Sequence, residues 1–378
     1  SEAHLAAARD VARKSIVLLE NKNNLLPLSK AAGTIAVIGP LADDKDTPLG
    51  SWRAQAITDS AVSLLEGIRA AVGPEVTVRH AQGAALAVGE RAFITKLELN
   101  TTDRSGFADA KAAASGADVV VMALGEDAFQ SGEGRSQVEI GLAGVQDDLL
   151  REVVSVNPNV VVVLMNGRPL AIGDVVEQVP AVVEAWHLGS QAGHAIADVL
   201  FGDFNPAGKL PVTFPRHVGQ EPLYYNPKNT GRPGPSDMVF WSHYTDIPNT
   251  PLYPFGYGLS YTTFEISGLK LSAKKMARDG EQRVSVRVKN TGERAGAEVV
   301  QLYLRDLVGS TTRPIKELKG FERVELAPGE TRTVTFTLSA EDLAFYNARG
   351  VWEAEPGDFE VAVGSSSVDV DTARFTLR

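Results

Sequence analysis

The sequence contains no cysteine among its 378 residues. This absence excludes disulfide bonds, a thiolate nucleophile and cysteine-ligated zinc, although thiol-free proteins occur in both the cytosol and the periplasm. Long apolar runs are also missing. The longest, at residues 160–165, has the length of a strand and falls far short of the roughly 20 residues that a membrane-spanning helix needs. The first residues lack the basic start and apolar core of a signal peptide, and the chain begins within a predicted helix, so we expect a further segment upstream.

Positive charge is in deficit, because 37 Lys and Arg stand against 47 Asp and Glu and give a net charge of −10. A nucleic-acid or anionic-membrane surface needs a basic patch, so neither is an expected partner. The hydrophobic content of 44% is ordinary for a globular protein and excludes disorder as the main state. The length is too great for one average domain and suits two.

Several catalytic motifs are absent as well. The chain has no Gly-x-Ser-x-Gly elbow, no phosphate-binding Gly-rich loop followed by Lys, and no Gly-x-Gly-x-x-Gly after its first predicted strand. These absences argue against an α/β-hydrolase-type serine enzyme, a P-loop enzyme and a dinucleotide enzyme. His187 and His194 are two helical turns apart, but Gly189 lies between them and no carboxylate stands at ligand spacing. We therefore predict neither a metal site nor a cofactor.

The first half of the chain alternates strand-like and helix-like segments. Short Val/Ile-rich runs, typical of buried strands, are separated by stretches of helical periodicity. This alternation predicts an α/β fold with a mostly parallel sheet covered on both faces. The predicted strands are 34–40, 76–79, 118–124, 160–165 and 181–185, and the predicted helices are 5–19, 60–72, 106–115, 144–156 and 191–201. Functional loops of such sheets follow the carboxyl ends of strands, here the segments after Ile38, Leu124 and Met165.

The second half has a different composition. Residues 206–261 are rich in Pro, Gly, Tyr and Asn and have little periodicity, which indicates a long irregular connection. From residue 264 onward, short runs alternate with period two between turn signals such as Ala327-Pro328-Gly329. This pattern predicts a helix-free antiparallel β-sandwich of the immunoglobulin or fibronectin type. The predicted domains are an α/β sandwich at 1–215, a connector at 216–262 and a fibronectin type III-like domain at 263–378.

The most suggestive loop is 125–136, which directly follows a predicted strand. Glu133 stands between two glycines, which let the backbone bend sharply and bring a carboxyl close to a ligand. A loop carboxylate that substrate shields from water would have a raised pKa, which suits a general acid. Composition alone favours a solvated side chain instead. Glu126 and Asp127 are rivals in the same loop, and either could cap the following turn or pair with Arg135.

Two other loops at the same predicted edge carry candidate binding residues. Trp52, in Ser51-Trp52-Arg53, offers an apolar face for stacking on a sugar or base, although a ring packed under its own loop is an equal alternative. Arg168, in Asn166-Gly167-Arg168-Pro169, could bind an anion, or it could belong to a turn with its own hydrogen bonds.

Long motifs spread over nearly the whole chain resemble glycoside hydrolase family 3, in particular its periplasmic bacterial β-glucosidases. The strongest is Leu-Tyr-Pro-Phe-Gly-Tyr-Gly-Leu-Ser-Tyr-Thr-Thr-Phe at 252–264. The others, in the expected order, are at residues 8–21, 25–28, 35–40, 164–170, 197–211, 301–303 and 318–321.

The resemblance implies an architecture and two site residues. Members of the family combine a TIM-type barrel, an α/β sandwich and a fibronectin type III-like domain. They cleave β-glycosides with retention, using an Asp nucleophile on the barrel and a Glu general acid/base on a loop of the α/β sandwich. Ser131-Gly132-Glu133-Gly134 is similar to that loop, so the resemblance assigns the acid/base to Glu133. Gly50-Ser51-Trp52 is similar to the family's Gly-x-Trp loop, so Trp52 is expected to stack on the sugar beyond the cleaved bond.

Two departures from the family pattern matter. Relatives often place Ser-Arg shortly after the acid/base, whereas this chain has Ser136-Gln137. The chain also has no barrel and no Ser-Asp-Trp or Thr-Asp-Trp motif, and a lone acid/base cannot form a glycosyl-enzyme intermediate. Four other aspartates occur in helix or strand contexts and offer no substitute nucleophile: Asp10, Asp118, Asp174 and Asp198.

The sequence is therefore predicted to be the C-terminal portion of a retaining, periplasmic or secreted β-glucosidase that hydrolyses terminal β-D-glucosyl residues. Its expected partners are a β-glucoside or cello-oligosaccharide and a barrel domain that supplies the nucleophile, and this chain alone is expected to be inactive. A homodimer is left open. The alternatives are a β-xylosidase or exo-glucanase within the enzyme class, and a barrel-less carbohydrate-binding or assembly module outside it.

Overall fold

A computed structural model describes residues 1–31, 33–232 and 238–378 of the chain. Contacts divide the described residues into two units, one of residues 1–208 and 215–219 and the other of residues 209–214 and 220–378. The domain bounds given above remain a prediction, and residues 233–237 of the predicted connector lie outside the described residues.

The first unit is built around a six-stranded sheet with the order β1-β8-β7-β6-β2-β3. Strand β1 runs antiparallel to β8, and the other neighbours are parallel. The elements of this unit are α1 (Glu2–Ser15), β1 (Val17–Asn21), β2 (Thr34–Ile38), α2 (Leu64–Ala71), β3 (Thr77–Ala81), β4 (Ala87–Val88), β5 (Glu98–Leu99), α3 (Phe107–Ala114), β6 (Val119–Gly125), α4 (Gln146–Val154), β7 (Val160–Met165), α5 (Gly173–Gln178), β8 (Ala181–Glu184) and α6 (Ala192–Leu200).

The sequence of the central strands explains why both faces of this sheet are buried. Every residue of β6 and β7 is buried, as expected for central parallel strands that are rich in valine and contain no polar side chain. The α2 helix starts at a capping box, in which the Ser63 hydroxyl accepts from the Glu66 amide and the Glu66 carboxylate accepts from the Ser63 amide. The predicted α/β fold is confirmed.

The structure corrects the predicted first helix. We expected a helix over 5–19, but α1 ends at Ser15 and the next residues form the antiparallel edge strand β1. The reason is burial, since Ile16, Val17, Leu18 and Leu19 are all fully buried and the helix could bury only one face. The short helix α5 was also not predicted.

The second unit contains a five-stranded sheet, β10-β18-β17-β12-β13, and a three-stranded sheet, β14-β11-β9. Alternate side chains from both sheets form one core, which contains Val286 of β11 and Leu302 of β12. The elements are β9 (Phe264–Leu271), β10 (Lys275–Met276), β11 (Gln282–Asn290), β12 (Gly296–Asp306), β13 (Glu317–Leu326), β14 (Thr331–Leu338), α7 (Ala340–Leu343), β15 (Phe345–Tyr346), β16 (Trp352–Glu353), β17 (Gly357–Gly364) and β18 (Val370–Leu377).

The predicted β-sandwich is confirmed, with two corrections. The short strand β10 pairs with β18 in parallel, where we expected antiparallel strands. The one-turn helix α7 interrupts the strands where we expected no helix, and it begins at a capping box between Ser339 and Asp342. Among the described residues, no helix has the length and apolar character needed to cross a membrane.

Candidate active site

Three neighbouring strands of the first unit end at one edge of the sheet. Strand β6 ends at Gly125, which pairs with Met165 at the end of β7, and β8 ends beside β7 at Glu184. Because these strands are parallel, the residues that follow them meet at the carboxyl edge, where α/β sheets usually carry their functional loops.

Glu126, the first residue after β6, is buried in an ion pair. Its side chain lies 2.7 Å from the Arg168 guanidinium (Oε1 to Nε), and its other oxygen accepts from the Gly167 amide at 3.1 Å. Burial raises the pKa of Glu126, while Arg168 and the amide oppose that shift. With only 1% of its surface exposed, Glu126 cannot reach a ligand without breaking this pair.

Asp127 is buried as well and has a structural partner on each side. Its Oδ1 accepts from the Phe129 amide and caps the 3₁₀ turn Ala128–Gln130. Its Oδ2 lies 2.5 Å from Arg91 Nε, and Arg91 also binds Asp44 at 2.8 Å. Burial raises the pKa of Asp127, against the effects of the Phe129 amide and Arg91. Asp127 therefore caps the turn that follows it, which is one of the two roles considered for it above.

Glu133 differs from both rivals because its side chain is exposed. It stands between Gly132 and Gly134, whose φ angles of +106° and +69° lie in the region that favours glycine. The Arg135 amide donates to the Gly132 carbonyl at 3.2 Å and closes a turn around Glu133. The loop therefore presents this carboxyl to solvent at the edge of the sheet.

Trp52 lies beside the Glu133 loop. A Cβ built on Gly132 would fall 2.5 Å from the Ser51 hydroxyl and 3.4 Å from Trp52 Nε1, so the two loops touch where only glycine fits. The Trp52 side chain is 68% exposed, and its ring centroid is 6.1 Å from that of Phe93. The structure therefore shows an exposed Trp52 ring and not a ring packed under its own loop.

Arg168 belongs to a hydrogen-bonded turn and is not a free anion site. Besides its pair with Glu126, its Nη2 donates to the carbonyls of Gln130 and Arg135. Asn166 donates to the Arg168 carbonyl at 2.8 Å and to Glu184 at 3.2 Å. A Cβ on Gly167 would fall 2.1 Å from the Ser131 hydroxyl, so this turn packs directly under the Glu133 loop.

Two further residues lie at this edge: Glu184, which sequence reasoning missed, and His187, which it weighed only as a metal ligand. Burial raises the pKa of Glu184 well above its ordinary value, against hydrogen bonds from the Trp186 amide and Asn166. Burial lowers the pKa of His187 to about 4, although the charge of Asp44 and the Thr47 backbone act in the opposite sense. The sequence offered one signal for these two residues, a carboxyl at the end of an apolar strand and an imidazole three residues later.

The described residues contain no group of three or more His, Asp or Glu arranged to hold a metal ion. The chemistry available at this edge is that of an exposed carboxyl and an exposed indole on two loops that touch, above a buried layer of ion pairs and hydrogen bonds.

Fold and edge together define the class, an α/β domain whose candidate site lies in the loops at the carboxyl edge of its sheet, followed along the chain by a β-sandwich. The Glycosyl hydrolase family 3 C-terminal domain matches residues 16–261, and a Fibronectin type III-like domain matches residues 298–367. The chain therefore belongs to glycosyl hydrolase family 3.

Individual relatives support the same assignment. A "Periplasmic beta-glucosidase" of Salmonella typhimurium is 46% identical over 100% of this chain and 50% of its own length, and a "Beta-xylosidase" of Formosa agariphila is 38% identical over 100% and 51%. A crystal structure of beta-glucosidase from Listeria innocua in complex with glucose has a TM-score of 0.89 and 40% identity, over 98% of this chain and 49% of that one. The chain thus spans about half the length of these relatives.

Proposed function

We propose that this chain supplies the general acid/base of a retaining β-glucosidase, and that the acid/base is Glu133. The observation that carries the proposal is the pairing of an exposed, glycine-flanked carboxyl with the exposed ring of Trp52. A carboxyl in this position can lie next to the oxygen of the bond to be cleaved while the ring stacks on the sugar beyond it.

In the proposed reaction, the Glu133 carboxylic acid gives its proton to the glycosidic oxygen as the bond from that oxygen to the anomeric carbon breaks. An Asp carboxylate forms a bond to the anomeric carbon at the same time. The Glu133 carboxylate then takes a proton from water, whose oxygen attacks the anomeric carbon and releases the Asp. Glu133 therefore ends the cycle protonated, as it began.

The Asp nucleophile is proposed to lie on a barrel domain outside these 378 residues. Within the chain, the three buried carboxyls at the ends of β6 and β8 are unsuited to the role. Glu126 and Asp127 are buried in arginine pairs, and Glu184 is fully buried with a strongly raised pKa. A nucleophile must instead be ionised and able to reach the anomeric carbon.

We further propose a periplasmic or secreted location and a terminal β-D-glucosyl substrate, since relatives of this chain carry the names "Periplasmic beta-glucosidase" and "Beta-glucosidase". A β-xyloside is the second candidate substrate, because the Formosa relative is named a beta-xylosidase.

The function is tested on the intact protein that contains these residues, using 4-nitrophenyl β-D-glucoside and β-D-xyloside. We expect hydrolysis with preference for the glucoside, and β-glucose as the first product seen by NMR. The 378-residue chain alone is expected to be inactive. If α-glucose appears first, or the chain alone is fully active, the proposed mechanism is wrong. If the intact protein binds cellobiose but hydrolyses no glycoside, the chain is a carbohydrate-binding module.

Trp52→Ala tests the proposed stacking. We expect kcat/KM for cellobiose to fall about 3- to 10-fold, as for the loss of one ring contact, with little change for methyl β-glucoside, whose small aglycone has no second ring. Trp352→Ala is the matched control, because Trp352 is also exposed but lies on β16 of the second unit. An equal fall for both substrates would argue against an aglycone contact.

A further inference from the structure

Arg168 lies across the base of the loop that carries Glu133. One of its terminal nitrogens, Nη2, donates to the Gln130 carbonyl and, at 3.0 Å, to the Arg135 carbonyl. These two carbonyls bracket residues 131–134. A single guanidinium therefore joins both ends of the loop through main-chain atoms.

The guanidinium is itself held from below. Glu126 pairs with Arg168 Nε at 2.7 Å, and the Arg168 carbonyl accepts from Asn166 at 2.8 Å. Asn166 and Glu126 are buried, and Asn166 also donates to the buried Glu184. The loop is thus connected to the ends of β6, β7 and β8.

A second contact joins the far side of the loop to the aromatic pair. Arg135 Nη2 donates to the carbonyls of Phe93 and Thr95, and the Phe93 ring contacts that of Trp52. Between these two attachments, the loop has the turn closed by Arg135 and the packing of Gly132 against Ser51, and the glycines on either side of Glu133 supply no stiffness of their own.

The geometry points to Arg168 as a positioning residue that holds the Glu133 carboxyl within reach of the glycosidic oxygen. This inference rests on the proposed function, because it gives Glu133 its role. A general acid must stand about 2.6–3.2 Å from the atom it protonates, and a displacement of about 1 Å can cost about 10²-fold in rate. A loop with two flanking glycines needs an external clamp to achieve that accuracy.

Arg168→Lys separates the effect of the clamp, meaning the hydrogen bonds from Arg168 to the Gln130 and Arg135 carbonyls, from the effect of the positive charge. Lysine keeps a positive charge for Glu126, but its ammonium is a compact point charge and lacks the planar fork that reaches Glu126 with one nitrogen and two carbonyls with another. Arg9→Lys is the matched control, because Arg9 makes a two-point pair with the buried Asp198 in the same unit and has no contact with the loop.

The first measurement is amide hydrogen exchange on the 378-residue chain, which does not depend on activity. We expect the amides of Gln130 and Arg135, which donate to the Asp127 and Gly132 carbonyls, to exchange at least about 10-fold faster in Arg168→Lys. The Arg9→Lys chain should keep the wild-type rates at both amides. Unchanged exchange in Arg168→Lys would overturn the clamp.

The second measurement is kcat/KM of the intact enzyme on two aryl β-glucosides. For phenyl β-glucoside, whose departure needs a proton, we expect Arg168→Lys to lose about 30- to 100-fold. For 2,4-dinitrophenyl β-glucoside, which leaves unprotonated, the loss should stay below about 3-fold. A merely structural role would lower both values equally, and that result would overturn the inference.

Glu133→Gln separates the two hypotheses. If it shows no loss that depends on the leaving group, the proposed acid/base role fails, whatever Arg168→Lys does. If Glu133→Gln shows that loss but Arg168→Lys does not, only the positioning role fails. When both hold, the double variant should lose little more on phenyl β-glucoside than Glu133→Gln alone, because the clamp then has no acid to position.

Discussion

Glu133→Gln is expected to lower kcat/KM of the intact enzyme for phenyl β-glucoside by about 10³-fold, the usual contribution of a positioned general acid. The amide keeps the size and polarity of the side chain but has no proton to give. The loss should shrink towards none for 2,4-dinitrophenyl β-glucoside. The measurement is kcat/KM over a series of aryl β-glucosides. In the variant, kcat/KM should depend more steeply on the pKa of the leaving group than in the wild-type enzyme.

Glu133→Ala provides a second signature of the same role. Its small side chain leaves room for azide, an anion that attacks the anomeric carbon without needing a base. Azide is therefore expected to restore turnover of a good substrate and to yield β-glucosyl azide as the product. Glu139→Gln is the matched control, since Glu139 is another exposed glutamate of the same long loop. Full activity of the Glu133 variants on phenyl β-glucoside would remove Glu133 from the mechanism.

The sequence was sufficient to predict the architecture because the two halves have different hydrophobic periods. Continuous valine runs such as β7 predict buried parallel strands, and the alternation along β11 predicts a half-buried antiparallel strand. The edge strand β1 escaped prediction for a physical reason. Its apolar residues continue the pattern of α1, and only the fold shows that they bury every side, not one face.

The contacts within the candidate site were harder to predict than its location. The rule for parallel sheets predicts that the loops after β2, β6 and β7 meet at one edge, and the structure brings Gly132 against Ser51 and Gly167 against Ser131. It could not say that Gly132 would touch Trp52, because that contact depends on the paths of two irregular loops. Nor could it separate Glu126 from Glu133, whose residue type is the same. Burial against Arg168 distinguishes them, and burial of a loop side chain has no periodic signal.

The buried layer beneath the loop was the least predictable part. Glu184 ends β8 and His187 lies three residues beyond it, and no sequence motif pointed to the loop after this strand. Their perturbed pKa values arise from burial, and contacts with residues of other loops, such as Asn166 and Thr47, oppose the shifts. Long-range pairings of this kind are set by side-chain geometry and have no signature in a single sequence.

Protonation of His187 is expected to make the folded chain less stable as the pH falls. Its pKa is about 4 in the folded protein because burial disfavours the charged ring, and about 6.5 in an unfolded chain. Between these values the unfolded state binds more protons, so the free energy of unfolding rises with pH over this window. Over the whole window, from pH 6.5 down to about 4, His187 is expected to cost the folded state about 3 kcal/mol.

His187→Gln removes this titration, so its stability relative to wild type should improve as pH falls from 6.5 to 4. Calorimetry of both chains at several pH values, following the transition of the first unit, is the measurement. The comparison must be a difference, because the raised pKa values of Glu126 and Asp127 give a pH dependence of opposite sign in both proteins. His4→Gln, on the exposed surface of α1, is the matched control for the substitution of one histidine. A curve for His187→Gln that stays parallel to wild type would mean that the His187 ring is protonated as easily in the folded chain as in the unfolded one.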